Sequence, residues 1–322
     1  MAHYIVTGSS GFIASHTCES LLLSGHKVTG IDNMNDAYDV RIKEHRLKKL
    51  NQHSNFIYSN ADITDLGALT TLIKDQYDAI INLGARAGVR ASADNPYIYY
   101  DTNVTGTLNL LEISKKYEIP KFVLASTSSV YGEVNSIPYS ENDLTDFPLS
   151  QYAASKKAAE TLTHTYHNLY GLDVTILRYF TVYGPAGRPD MSVMRFIKWL
   201  IEGEEIQLFG DGNQSRDFTY VGDIAKGTIL GTKKLGYEII NLGSDHPVSL
   251  LEVIGIIEKH TGKKAIIKNL PENPLDIKAT WANINKAKEI LEWKPSVQIE
   301  NGLKQCIEWY TQNRDWAKDI KL

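Results

Sequence analysis

The sequence predicts a doubly wound α/β fold built on a parallel sheet, followed by a smaller mixed α/β unit. Three observations carry the prediction. Short apolar runs alternate with helix-period segments through the first half, a glycine-rich turn joins the first run to the first helical segment, and the texture changes after Arg178. Residues 4–6, 27–31, 55–58, 79–83 and 121–125 read as strands, and 173–177 continues the series. Residues 13–24 and 106–117 carry apolar positions at helical spacing. Parallel strands need crossovers of this kind, which are right-handed in nearly all proteins.

After Arg178, Pro185-Ala186-Gly187-Arg188-Pro189 is a loop of turn formers. A helix is predicted over 192–201 and a Gly/Asp-rich turn over 209–213. Residues 238–243 read as one more strand that returns to the main sheet, and the tail from Leu250 alternates helices with short connectors. The chain therefore divides into residues 1–178, rejoined by 218–245, and residues 179–322. It has no solenoid repeat and no low-complexity run.

Composition narrows the function. The 322 residues are 43% hydrophobic and 22% charged, an ordinary globular balance that excludes disordered and fibrous classes. A net charge of -4 offers no general attraction to a polyphosphate backbone, so no nucleic-acid partner is expected. A local basic pocket for one small anion stays open. The two cysteines, Cys18 and Cys306, lie far apart and support neither a disulfide framework nor a metal cluster, and no metal site is expected. The N-terminus runs straight into a strand without a basic region and apolar leader, and no 18-residue apolar stretch occurs. A soluble, cytoplasmic protein without a membrane partner is the expectation.

Gly8-Ser9-Ser10-Gly11-Phe12-Ile13-Ala14 stands at the first strand–helix junction. There, backbone N–H groups and a helix N-terminus can approach a pyrophosphate, as in the Rossmann arrangement. Ala14 takes the place of a third glycine at the helix–strand contact. Asp32 ends the second strand about twenty residues after Gly11, where a carboxylate accepts hydrogen bonds from a ribose and repels a 2′-phosphate. The first unit is therefore a dinucleotide domain with NAD as its cofactor. Asp62-Ile63, after the third strand, has two readings: framing the adenine, or capping a helix.

Tyr152 and Lys156, four apart on one helix face, offer a phenol beside an ammonium whose charge would lower the phenol's pKa. The strand before them runs into Ser126-Thr127-Ser128-Ser129-Val130-Tyr131-Gly132, which places hydroxyls at a strand's carboxyl end, where such sheets bind ligands.

With these motifs, together with Leu177-Arg178-Tyr179-Phe180 and Arg216-Asp217-Phe218-Thr219-Tyr220-Val221, the whole chain resembles the extended short-chain dehydrogenase/reductases, and within them the nucleotide-sugar epimerases. Residues 32–41, Ala87-Gly88-Val89-Arg90 and 181–191 look like the subgroup that acts on UDP-glucuronate. The resemblance implies Thr127 as the catalytic hydroxyl, Tyr152 as base and acid, and Lys156 on the nicotinamide ribose. It places Gly8, Gly11, Phe12, Ile13, Asp32 and Asn33 on the cofactor, with Asp62, Ile63, Leu83, Ala85 and Tyr179. It puts Arg90 on the substrate, and Ser128, Ser129, Thr181 and Arg188 around the sugar's C6 carboxylate, which needs hydroxyl donors and a guanidinium. It implies Arg216 on the substrate diphosphate and Asp276 on the nucleotide ribose, where a plain turn aspartate is the other reading, and Gln207 and Phe209 in the base pocket, where a core aromatic is the other reading.

The implied activity is NAD-dependent 4-epimerisation of a UDP-sugar, UDP-glucuronate to UDP-galacturonate, through a transient 4-keto sugar. Related decarboxylases carry Glu at the position of Ser129 and 4,6-dehydratases carry Asp-Glu at Ser128-Ser129; neither acid is present. Epimerases of neutral sugars such as UDP-glucose or UDP-N-acetylglucosamine commonly show Asn in place of Thr181 and need no Arg188. A non-catalytic NAD-binding scaffold would not need Thr127, Tyr152 and Lys156 together. The chain departs from the subgroup at Asn82-Leu83-Gly84-Ala85-Arg86, where Arg86 adds a charge that either touches the pyrophosphate or faces solvent. The resemblance also implies a homodimer in which the helix bearing Ala158, Leu162 and Tyr166 packs with that of residues 106–117.

Overall fold

The computed structural model describes residues 1–322 apart from 75 and 273–276. The first half alternates as expected: β1 (His3–Thr7), α1 (Phe12–Leu23), β2 (Lys27–Asp32), α2 (Val40–Leu50), β3 (Phe56–Asn60), α3 (Leu66–Leu72) and β4 (Ala79–Asn82). A short helix, α4 (Tyr97–Tyr100), runs through a π-turn (Asp101–Thr105) into α5 (Gly106–Lys116). Next come β5 (Lys121–Thr127), a 3-10 turn (Ser128–Tyr131), α6 (Gln151–Tyr170) and β6 (Asp173–Tyr179). The second half holds β7 (Thr181–Tyr183), α7 (Ser192–Glu202), β8 (Glu205–Phe209), β9 (Ser215–Tyr220), α8 (Val221–Leu230), β10 (Tyr237–Leu242) and β11 (Pro247–Ser249). It closes with α9 (Leu250–Thr261), β12 (Ile266–Leu270), α10 (Asn285–Ile290), α11 (Ile299–Gln312) and α12 (Arg314–Ala317).

Seven strands form one parallel sheet in the order β10-β6-β5-β4-β1-β2-β3. The strand order reverses between β1 and β4, and the crevice outside their carboxyl ends is where such sheets bind ligands. β5 and β6 are buried at every position, as expected of strands covered on both faces. One face packs Phe12, Leu21, Val221, Ile224 and Trp293; the other packs Leu69, Leu110, Leu111, Ala159 and Tyr166. The strand anticipated at 238–243 is β10, paired with β6 from Tyr237↔Val174 to Leu242↔Tyr179.

The second unit has its own core, with Phe196, Ile197 and Leu200 of α7 against Ile254, Ile257, Leu303 and Tyr310. Its strands were less legible. β7, β9 and β11 form a three-stranded sheet, and β12 pairs with β8 where only helices and connectors were expected. The reason is physical: β12 is exposed at Ile266 through Asn269, so no buried face imposes an alternating pattern on its sequence.

A buried ionic knot ties the sheet to α6. Arg178 donates from Nε to Glu160 Oε1 at 3.0 Å and from Nη2 to Oε2 at 2.8 Å, and its Nη1 reaches the Tyr131 hydroxyl at 3.1 Å. Ser126 Oγ donates to the same carboxylate, and the Tyr131 hydroxyl donates to Asn241 Oδ1 of β10 at 2.7 Å.

On the opposite face, His16 Nε2 donates to the carbonyl of Pro185 at 3.1 Å, tying α1 to the loop after β7. Burial is the main reason its pKa falls from 6.5 to about 4, so the folded protein holds the imidazole neutral. The unfolded chain takes up this proton near 6.5 and the folded one near 4, so stability declines as pH falls between those values and levels off below. His16→Gln is expected to flatten that limb in a series of urea melts; an unchanged slope would remove His16 from the account.

Candidate active site

The glycine turn has the shape a pyrophosphate needs. Gly8 adopts φ +66°, and a Cβ there would lie 2.8 Å from the Gly84 Cα, so β1 leaves the sheet tight against the end of β4. A Cβ on Gly11 would lie 2.7 Å from the Gly8 carbonyl oxygen. Asp32 is buried; its Oδ2 accepts from the Ser10 N–H at 3.0 Å and its Oδ1 from the Met34 N–H at 2.8 Å. Ser9 Oγ and Ser10 Oγ are buried without a hydrogen-bond partner among the described residues. Buried hydroxyls are rarely left so; Ser9 Oγ packs beside Gly30 of β2, beneath the turn. Phe12 is buried at the start of α1 with half-buried Ile13 beside it.

Asn33 Nδ2 donates to Asp62 Oδ2 at 2.6 Å, joining the ends of β2 and β3. Asp62 Oδ1 accepts from the Thr64 N–H and hydroxyl at 2.8 and 2.7 Å. The helix cap offered as its alternative role belongs to Asp65, which caps α3. Ile63 is buried against Gly106, Leu83 is half-buried and Ala85 exposed at the end of β4. The main chain of Arg86 is clamped both ways by the Asn103 amide, at 2.9 and 3.0 Å. Its side chain is half-buried, and its charge reaches Asp62 and Lys43. Tyr179 departs from the expectation: its hydroxyl bonds Thr228 at 2.8 Å inside the core, leaving its main chain as the part able to serve a cofactor.

At the end of β5, Thr127 Oγ1 donates to Ser129 Oγ and accepts from the Ser129 N–H, both at 3.1 Å. Ser128 and Ser129 open the 3-10 turn, half-buried. Ser150 caps α6, and one turn separates Tyr152 from Lys156 on that helix. The Tyr152 ring meets Tyr99 edge-on at 6.3 Å. Its phenol is not lowered as the sequence suggested. Burial raises its pKa, and the opposing influences are a hydrogen bond with Thr127 and the charge of Arg188 rather than of Lys156. Lys156 is itself buried, and burial brings its ammonium down to about 8, with Glu160 as its counter-charge. No acceptor among the described residues bonds that ammonium, which suits a ribose donor–acceptor partner. The turn, Asp32 and Lys156 together fit a dinucleotide.

Thr181 begins β7, and the loop after it carries Arg188 toward Tyr152, close enough for its charge to be felt by the phenol. Ala186, at φ +51°, turns the chain there, and its carbonyl accepts from Arg46 Nε at 3.0 Å and Nη2 at 2.6 Å. Arg46 Nη1 also donates to the Ser10 carbonyl at 3.1 Å, so one buried side chain joins the cofactor turn to this loop. Arg46 was not singled out from the sequence, where an arginine on a basic helix reads as a solvated face. A cavity of about 20 Å³ lies under the loop, lined by Thr181, Arg188, Met191 and Met194. Arg90 stacks on Phe209 with its guanidinium 4.1 Å from the ring centre; Gln207 is exposed on the same face of β8. Arg216 is half-buried on β9 and donates to the Ser215 carbonyl at 2.8 Å. Asp276 lies outside the described residues. A groove of about 740 Å³ opens at the opposite, amino end of the strands beside Lys121 and Asp173, remote from this chemistry.

A strand–turn–helix cradle beside a Thr–Tyr–Lys set at the carboxyl end of a parallel sheet defines a class of NAD-dependent enzymes. The model of the NAD dependent epimerase/dehydratase family matches residues 4–243, and the chain belongs to that family. More particularly, the UDP-glucuronate 4-epimerase of Thermodesulfobacterium geofontis is 53% identical over 324 residues, covering 100% of both chains. The UDP-glucuronic acid 4-epimerase of Bacillus cereus, solved with UDP-glucuronic acid and NAD, superposes with a TM-score of 0.90 at 38% identity, over 97% of this chain and 99% of that one. The UDP-glucose 4-epimerase of Thermotoga maritima, solved with UDP-glucose, reaches 0.89 at 31% identity, over 97% and 99%. The backbone is thus shared by acidic-sugar and neutral-sugar enzymes, and side chains must separate them. Among the described residues no helix is long and apolar enough to cross a membrane, and no cluster of His, Cys, Asp and Glu could hold a metal.

Proposed function

We infer that the chain is a UDP-glucuronate 4-epimerase, interconverting UDP-glucuronate and UDP-galacturonate with NAD. The observation that carries this reading is Arg188, a guanidinium held on a fixed loop beside Tyr152, with Thr181 on the same cavity and Ser128 and Ser129 in place of any acid. When bound, NAD supplies the group that accepts and returns the C4 hydride, so the sugar passes through a 4-keto form. Tyr152 takes the 4-hydroxyl proton and gives it back, Thr127 holds that hydroxyl in line, and Lys156 fixes the nicotinamide ribose. A 4-keto uronate is a β-keto acid, which loses CO₂ when the C5–carboxylate bond aligns with the carbonyl π system. Arg188, Thr181 and the two serines keep the carboxylate out of that alignment.

Purified protein incubated separately with UDP-glucuronate, UDP-glucose and UDP-N-acetylglucosamine is expected to turn over the first alone, giving UDP-galacturonate. Turnover of a neutral sugar alone would overturn the reading. Arg188→Met removes a charge-assisted contact, so the KM for UDP-glucuronate is expected to rise about ten- to a hundredfold, with UDP-pentose appearing as a side product. A variant that kept its KM and leaked no pentose would remove the carboxylate clamp.

The same proposal assigns residues 1–178 and 218–245 to the cofactor and 179–322 to the UDP-sugar, with Arg90, Gln207, Phe209 and Arg216 on the nucleotide side. It includes a cytoplasmic setting, which suits two buried free cysteines. It also includes a homodimer through α5 and α6. Tyr166 packs within its own subunit, so the supporting surface is Leu108 and Leu169, both exposed, with half-buried Ala158 and Leu162. Light scattering giving the mass of one chain would refute the dimer.

A further inference from the structure

Arg188 already has a carboxylate. Its Nε donates to Asp190 Oδ1 at 3.0 Å and its Nη2 to Asp190 Oδ2 at 2.5 Å, a two-point pair on one edge of the guanidinium. That is one of the edges on which a guanidinium takes a carboxylate at two points, the strongest contact arginine makes. We propose that Asp190 is an internal stand-in for the substrate: it holds Arg188 while the site is empty and must be displaced by the C6 carboxylate, which sets the affinity and the release of acidic sugars. The proposal rests on the uronate reading above.

Three observations support an exchange. First, the partners differ in exposure: the Arg188 side chain is 20% exposed and that of Asp190 42%. A guanidinium cannot shed its charge, so leaving it half-buried without an anion is costly, whereas Asp190 can return to water cheaply. Second, the backbone under the pair is fixed. The Ala186 carbonyl is held by Arg46, the Pro185 carbonyl by His16, and the Met191 N–H bonds the Arg188 carbonyl at 3.2 Å. Side-chain rotation, not loop opening, is therefore the movement available. Third, a second cation stands in the same segment. Arg195, one turn into α7, stacks on Trp199 at 4.5 Å, has a buried Nε without a partner among the described residues, and feels the charges of Arg90 and Asp190.

A uronate therefore exchanges one ion pair for another on entry, and the product leaves while Asp190 closes behind it. A neutral sugar makes no such exchange. Competition of this kind multiplies the observed affinity by the fraction of protein in which Arg188 is free, and so raises the apparent Kd.

The test is Asp190→Asn, which keeps the shape and removes the charge. Binding of UDP-glucuronate, UDP-glucose and UDP to the NAD-loaded protein is measured by calorimetry, and dissociation by stopped flow. UDP-glucuronate is expected to bind about three- to tenfold tighter and to leave correspondingly more slowly, with UDP and UDP-glucose unchanged. Unchanged UDP binding also certifies the fold. In an Arg188→Met background the same substitution is expected to do nothing, which a merely structural role for Asp190 would not produce. Weaker or unaltered UDP-glucuronate binding, or a gain that survives without Arg188, overturns the proposal. Failure of the wild-type protein to turn over UDP-glucuronate overturns the uronate reading instead.

Discussion

Tyr152→Phe is expected to lower kcat about 100- to 10,000-fold, the range over which a positioned acid–base group acts. Thr127, the other hydroxyl of the set, cannot replace it as the base, because an aliphatic alcohol is far less acidic than a phenol; it can only hydrogen-bond, as it does to Ser129 and to Tyr152. The substitution removes one oxygen from a ring that keeps its edge-on contact with Tyr99, so stability should hold. Cofactor content should hold as well, since Lys156 and the glycine turn are untouched. The measurement is kcat with UDP-glucuronate beside NAD released on denaturation. A rate within fivefold of wild type would mean that another group carries the proton.

Glu160→Gln is expected to destabilise the protein by about 3–5 kcal/mol, the usual effect of removing one partner from a buried ion pair. Arg178 would then keep its charge in the core with only amide and hydroxyl partners. Urea melts measure the loss, and adding Arg178→Met should return part of it, since two apolar or neutral partners cost less than one orphaned charge. A loss under about 1 kcal/mol would show that Arg178 finds other acceptors. The change also reaches the site. Glu160 is the counter-charge of Lys156, whose ammonium persists below about 8 and is lost as pH rises through that value. Without the carboxylate that loss moves to lower pH, and the alkaline limit of activity should move with it.

Much of this was legible in the chain. The parallel sheet followed from apolar runs at strand length alternating with helical spacing, because strands covered on both faces must be apolar throughout. The cofactor turn was legible because only glycine tolerates the φ and close approach found at Gly8. β12 was not, since an exposed strand carries no burial pattern. Nor was Arg46, whose value lies in a carbonyl 140 residues away.

By itself the sequence determined the fold class, the dinucleotide cradle and the Thr127–Tyr152–Lys156 set, because each depends on residues close in the chain or on one local periodicity. Only the tertiary structure decided what those groups experience. Burial overrides the expected effect of Lys156 on Tyr152, since desolvation depends on everything packed around a group rather than on its helix neighbour. The same holds for Arg188. Its type and place in a loop could be read directly, and its pair with Asp190 is local to that loop, but its nearness to Tyr152 arises from β6, β7 and α6 meeting at one end of the sheet. Charge and burial are summed over space, and the chain's order does not contain that sum until it folds.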